Sequence, residues 1–353
     1  MRFGLVIYGS IDTPTGGYLY DRKLVEHLRK RGHQLDIVSI DKRGYLENVP
    51  DNFDPALRDR LASLDVDVLL QDELNHPSLF HLNRYLRSRG RYRIVAIVHH
   101  LSCSAALTPR EEGTSRFLEG RFLETVDGCI YSSSATKADA KRILPWAPNG
   151  VVALPGKDHI LVPDHLKERP TGLPLRIMYL GNIVPHKGLY VLVEALGRLN
   201  GEDFLLNVVG APVDDAYYGR VLARISELGL SDRVRLRGYV EQELLPLCFQ
   251  ESDVLAVPSY CEGFGIVYVE AMGHGLPVIM STAAGAKEII TSNEDGLLVP
   301  PGDPDALARS LSLLLNDRKM VRTMSEKARQ RFVTLPTWED SMERACQYLT
   351  SLP

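Results

Sequence analysis

The chain has 353 residues, 44% hydrophobic and 24% charged, an ordinary globular composition that excludes disordered and fibrous architectures. That length exceeds one comfortable core, so two domains of roughly 150–180 residues are expected. Lys and Arg total 41 against 45 Asp and Glu, a net charge of −4 that argues against a general nucleic-acid binder.

Short apolar runs alternate with helical patterns along the chain. Predicted strands are Arg2–Tyr8, Gln34–Ser39, Val66–Leu70, Ile94–Val98 and Gly128–Tyr131. A second set is Arg176–Leu180, Leu205–Val209, Val234–Leu236, Val254–Pro258 and Pro277–Met280. Several are continuous Val/Ile/Leu runs, as strands buried on both faces require. Helical patterns between them include Tyr20–Arg31, Leu189–Leu199, Tyr217–Leu228, Ala306–Leu315 and a final Trp338–Leu349. This alternation implies parallel sheets built from βαβ units. Leu154–Leu175, with four prolines and two glycines, is the natural linker. The expected architecture is therefore α/β, two doubly wound domains facing a cleft. Their expected bounds are 1–160 and 176–336, joined by a linker at 161–175. Cut near residue 165, the first part carries 22 basic and 21 acidic residues (+1) and the second 19 and 24 (−5).

Five scattered cysteines, Cys103, Cys129, Cys248, Cys261 and Cys346, include no C-x-x-C pair. They suit neither a disulfide framework nor a zinc ribbon and point to a reducing compartment. MRFGLVIYGSID reads as a strand entering a turn, unlike a signal-peptide core. No run of ~18 apolar residues suggests a membrane span, so a cytoplasmic protein is expected.

The strongest chemical signal is EGFGIVYVEAMGHGLPVIMS, Glu262–Ser281. A strand runs into a glycine-rich loop and then a helix starting near Phe264. Gly263 and Gly265 let the backbone approach a ligand, and the first helical N–H groups, near Ile266, suit an oxyanion. Glu262 in the loop and Glu270 one turn into the helix would reach different parts of one elongated ligand. The bland alternative is a strand–helix turn with two solvated glutamates. GAKEII and DGLLVPPGDPDALARSL follow downstream.

Together these segments resemble the retaining glycosyltransferase family 4, whose members have the GT-B fold of two Rossmann-like domains. Glu262 and Glu270 stand at the ends of that family's E-x7-E motif. The resemblance implies that Glu262 holds the sugar hydroxyls of a nucleotide-diphosphate sugar and Glu270 its ribose. In GNIVPHKG, Gly181–Gly188, it assigns Lys187 to the diphosphate, while Asn182 replaces the family's usual arginine. His186 could add charge there if protonated. Gly16 and Gly17, before a helix, match a glycine pair facing the donor phosphates and acceptor. His99, after the strand Ile94–Val98, matches a histidine beside the transferred sugar. Gly238, Tyr239 and Val240 match a loop that holds the nucleobase, with Gly210 in a nearby turn. The final helix, 337–353, is expected to return to the first domain.

His100 and, in QDELNHP, Asp72, Glu73, Asn75 and His76 are candidate acceptor-binding residues; a polar surface loop is the alternative. Arg84, Arg87, Arg89, Arg91 and Arg93 could rest on an anionic membrane or form a solvated basic face. There is no G-x-G-x-x-G, which argues against a dehydrogenase. The resemblance implies a retaining, metal-independent hexosyltransferase acting in polysaccharide or glycolipid synthesis. It implies no cofactor and a carbohydrate or lipid-linked acceptor. An epimerase or hydrolase of the same fold, or an inactive nucleotide-sugar-binding protein, are the alternatives.

Overall fold

The computed structural model describes residues 1–106, 108–166, 173–199, 201–283 and 285–352. The chain divides into two compact units, Met1–Gly156 with Pro336–Pro353, and Lys157–Leu335. The division falls at Gly156, a few residues before the expected linker, of which residues 167–172 lie outside the described residues.

The first unit holds a six-stranded parallel sheet: β1 (Arg2–Tyr8), β2 (Gln34–Ile40), β3 (Val68–Asp72), β4 (Arg93–Val98), β5 (Gly128–Tyr131) and β6 (Gly150–Val152). Its order is β2-β1-β3-β4-β5-β6, so the strand order reverses at β1. Every residue of β3 is buried, including Gln71 and Asp72 at its end, and β4 is buried beyond its first residue, which is why Ile94–Val98 reads as an unbroken apolar run. Leu69, Ile94, Val98, Phe122 and Tyr131 belong to the core on one face of this sheet. Each such side chain stabilises the fold by about 1.5–3 kcal/mol relative to its exposed state.

The second unit repeats the plan with β7 (Leu175–Leu180), β8 (Phe204–Val209), β9 (Val234–Gly238), β10 (Val254–Val257), β11 (Val278–Ser281) and β12 (Gly296–Val299). The order is β12-β11-β10-β7-β8-β9, reversing between β7 and β10. All ladders in both sheets are parallel. In open sheets of this kind, ligands gather at the carboxyl ends of strands where the order reverses.

The helix Trp338–Thr350 belongs to the first unit and packs on the helix Gly16–Lys30 and on β6. A capping box between Thr337 and Asp340 starts it. No helix among the described residues is long and apolar enough to cross a membrane. On the helix Leu82–Arg89, Arg84 reaches Glu124 at 3.6 Å, Arg87 reaches Asp127 at 3.3 Å, and Arg89 bonds the Tyr85 hydroxyl at 2.9 Å.

Candidate functional site

At the switch point of the second sheet, the loops after β7 and β10 meet. After β7 the chain makes a short 3-10 turn, Pro185–Lys187. After β10 it runs through Ser259 into Glu262. Lys187 Nζ donates a 2.6 Å hydrogen bond to Glu262 Oε2, and the Ser259 hydroxyl reaches the same oxygen at 3.4 Å. The Tyr260 N–H donates to the His186 carbonyl at 2.7 Å, tying the two loops together by backbone as well. Both charged side chains are mostly buried, 22% and 14% exposed, so their attraction is little screened. Burial and the neighbouring Lys187 charge push His186 below the ordinary histidine range. That direction favours a neutral imidazole beside the exposed Asn182.

The helix expected near Phe264 begins at Ile266 and ends at Gly273. Its N-cap, Gly265, has φ +94°, and a Cβ there would strike the Tyr268 ring. Tyr268 is itself fixed by its hydroxyl donating to the Val257 carbonyl at 2.8 Å. Only glycine can therefore turn the loop into the helix at this point. Glu270 is buried and faces His159, whose Nε2 lies 2.8 Å from Glu270 Oε1. Gly181, Gly210 and Gly238 end β7, β8 and β9 side by side. The Gly210 N–H donates to the Gly238 carbonyl at 2.8 Å, and Gly210, at φ +150°, lies so close to Gly181 that a Cβ would collide with its carbonyl. Tyr239 projects outward with its hydroxyl 3.3 Å from Glu241, and Val240 follows it.

The first unit carries a second constellation at the ends of β1, β3 and β4. The helix Gly16–Lys30 is capped by Thr15, whose hydroxyl accepts the Tyr18 N–H at 3.4 Å. Gly17 lies against the His99 ring: a Cβ on Gly17 would sit 3.3 Å from His99 Cδ2. His99 Nε2 is 3.1 Å from Asp21 Oδ1, with Asp21 fully buried and His99 nearly so. The Tyr20 ring stands edge-on at 5.2 Å, and the Ser132 hydroxyl donates to the His99 carbonyl at 2.7 Å. Burial alone would lower the His99 pKa, but the charge and hydrogen bond of Asp21, with Asp72 and Glu73, raise it to about 9.

The surface-loop reading of QDELNHP does not hold. Asp72 is the last residue of β3, and the turn Glu73–Asn75 tucks inward, so Asp72, Glu73, Asn75 and His76 are all buried. Asp72 accepts the Leu74 N–H at 2.9 Å and groups with Asp21 and His99; burial, then the Asp21 charge, raise its pKa to about 7. Glu73 and His76 group instead with Glu119. The His76 Nδ1–H donates to the Glu73 carbonyl at 2.8 Å, and its Nε2 accepts from the Tyr45 hydroxyl at 2.6 Å. Burial pushes His76 down, which keeps it in that neutral form. Glu119 accepts the N–H groups of Ser102 and Cys103. Glu73 and Glu119 are both pushed up to about 8, chiefly by burial. His100 is half-buried beside this region.

Each trio, Asp21–Asp72–His99 and Glu73–His76–Glu119, has ligand atoms within 4.8 Å of one another, close enough for a cation. In the first, His99 Nε2 is engaged by Asp21, and in the second both His76 nitrogens are engaged by protein groups.

Sequence reasoning passed over Asp21, Glu119, Tyr45 and His159. Asp21 sits on the buried stripe Asp21, Leu24, Leu28, and Glu119 on the buried stripe Ser115, Leu118, Phe122. A carboxylate at a core-facing helical position was the available signal for both. His159, in an irregular segment, offered none.

Residues 167–331 match the family model described as "Glycosyl transferases group 1". The D-inositol 3-phosphate glycosyltransferase of Corynebacterium efficiens is 31% identical over 201 residues, 54% of this chain and 47% of that protein. The chain thus spans about half the length of that relative in the match. The phosphatidyl-myo-inositol mannosyltransferase of Mycobacterium leprae is 29% identical over 348 residues, 90% of this chain and 88% of that protein. Among solved structures, the sucrose-phosphate synthase of Thermosynechococcus elongatus has a TM-score of 0.82 at 23% identity, over 98% of this chain and 97% of that one. Anabaena Alr3699/HepE in complex with UDP-glucose has 0.79 at 18%, over the whole of both chains.

Proposed function

We propose that the chain, whose residues 167–331 match the group 1 glycosyltransferase model and which has the GT-B fold, is a glycosyltransferase that moves a sugar from a nucleotide-diphosphate sugar to a hydroxyl acceptor. Transfer retains the anomeric configuration and needs no metal ion. The second unit holds the donor and the first supplies the acceptor side. The observation that carries this reading is the Lys187–Glu262 pair at the switch point of the second sheet. It sets an ammonium group and a carboxylate beside a glycine-rich helix start, where a diphosphate and a sugar hydroxyl can be bound together.

In this reading Lys187 and the helix N–H groups after Gly265 take the charge that develops on the leaving diphosphate. Glu262 accepts hydrogen bonds from the sugar, and Glu270 from the ribose diol. The C–O bond to the diphosphate breaks as the acceptor oxygen bonds the anomeric carbon on the same face. The acceptor proton leaves with the diphosphate. His99 with Gly17 binds on the sugar side.

A nucleotide sugar as donor is supported by the UDP-glucose complex of the structural relative Alr3699/HepE. An inositol-containing or lipid-linked acceptor is supported by the names of the two sequence relatives. The test is incubation with UDP-, GDP- and ADP-sugars, with and without inositol phosphate and phosphatidylinositol, in EDTA. Glycoside formed only with acceptor, with its anomeric configuration kept, supports the reading. Donor consumed without acceptor, or an inverted product, contradicts it.

A further inference from the structure

Asp21 and Asp72 lie beneath His99 with almost no exposed surface, while about a tenth of the His99 side chain is open. Nothing in the assigned chemistry accounts for them. A buried carboxylate is costly unless it is paired and hydrogen-bonded. Asp21 has one oxygen on His99 Nε2 and the other, Oδ2, without a hydrogen-bond partner among the described residues. Because a carboxylate can only accept, the His99 Nε2 must carry the proton of that bond. That commits Nε2 and leaves Nδ1 as the ring nitrogen able to meet a ligand.

The ring has little freedom to turn. The Gly17 backbone closes one side, and the Tyr20 ring stands at another, its own hydroxyl held by the Ala153 carbonyl at 2.9 Å. The groups acting on the ring are Asp21 and Tyr20 from the first helix, and Asp72 and Glu73 from the end of β3. The charged ones are all acidic.

We propose that Asp21 and Asp72 are positioning residues that lock the His99 ring and keep both its nitrogens protonated, so that Nδ1 meets the transferred sugar or its leaving diphosphate as a cationic donor. The role toward sugar or diphosphate rests on the glycosyltransferase reading; the locked, charged ring does not.

The test combines the ring's own titration with a rate profile. Histidine-labelled full-length protein is followed by nitrogen NMR in wild type, Asp21→Asn and Asp72→Asn, and kcat/KM is measured from pH 5.5 to 9.5. In wild type, His99 stays charged until about pH 9. In Asp21→Asn the largest charge opposing burial is gone and only Asp72 and Glu73 remain, so the ring titrates near the ordinary ~6.5; at pH 8 the charged fraction falls roughly 30-fold, and kcat/KM falls with it but recovers toward acid pH. Asp72→Asn shows a smaller shift in the same direction and serves if Asp21→Asn does not fold. Unchanged His99 titration in both variants overturns the proposal, as does a pH-independent loss of rate. If no sugar nucleotide is turned over by wild type, the functional reading fails while the NMR titration still decides the locked-ring claim.

Discussion

Lys187 and Glu262 form one ion pair across the loops that follow β7 and β10, at 2.6 Å. The cation assigned to the diphosphate is therefore held by the carboxylate assigned to the sugar. Removing either partner leaves the other charge partly buried and uncompensated. Lys187→Ala and Glu262→Ala are each expected to lower kcat by roughly 10²–10³, the usual cost of losing one transition-state donor or its partner. The double variant is expected to lose far less than the product of the two, because the residues act as a unit. Additive losses in the double-mutant cycle would show that they work independently.

Glu270 and His159 form the second buried contact of this half, at 2.8 Å. If Glu270 takes the ribose diol, Glu270→Ala should weaken binding of nucleoside diphosphates while leaving affinity for inorganic pyrophosphate unchanged. His159→Ala should weaken the same nucleosides less, since it only orients the carboxylate. Calorimetry with both ligands checks this. Equal weakening for pyrophosphate would place Glu270 at the phosphates instead.

Gly17 packs closely against His99. A methyl group at Gly17 would press on His99 Cδ2 at 3.3 Å, a distance tighter than ordinary packing. Gly17→Ala is expected to fold, because this glycine does not need a left-handed backbone, yet to lower kcat/KM by moving the ring off its Asp21 bond. Loss of kcat/KM with an unchanged melting temperature is the expected result; an unchanged rate would show that the ring position is not used.

The first unit should lose stability as pH rises. Glu73 and Glu119, raised by burial to about 8, and His99, raised to about 9 by its acidic neighbours, bind protons more tightly folded than unfolded. Their stabilisation is complete below their ordinary pKa values and is lost as pH climbs through 8 and 9. His76, lowered by burial, works the other way and loses its contribution on acidification. Both tryptophans, Trp146 and Trp338, lie in the first unit, so their fluorescence reports its unfolding. The urea midpoint is expected to fall from pH 6 to pH 9 in wild type. It should fall less in Glu73→Gln, which places an amide donor opposite Glu119 without a titrating proton.

Both sheets and most of the switch-point loops of the second unit were legible in the sequence. Unbroken runs such as Ile94–Val98 and Val254–Val257 announce strands buried on both faces, and Gly263–Gly265 announces a loop that must approach something closely. The edge strands β6 and β12 were not read, because three or four residues carry too little pattern, and the first helix starts at Gly16, ahead of the expected Tyr20. The acidic heart of the first unit was half legible. Asp72 and Glu73 stood out in QDELNHP, but a polar run after a strand normally marks a surface loop. Its burial depends on Asp21 and Glu119, which come from helices remote in sequence, and a single sequence does not reveal that pairing.

The most direct measurement is equilibrium binding of UDP-, GDP- and ADP-sugars in EDTA, with and without added magnesium, to wild type and Lys187→Ala. Donor capture by an ammonium group and helix amides predicts tight binding in EDTA, little change on adding magnesium, and at least a tenfold loss in Lys187→Ala, about 1.4 kcal/mol. Binding that requires the divalent ion, or that is indifferent to Lys187, would contradict it.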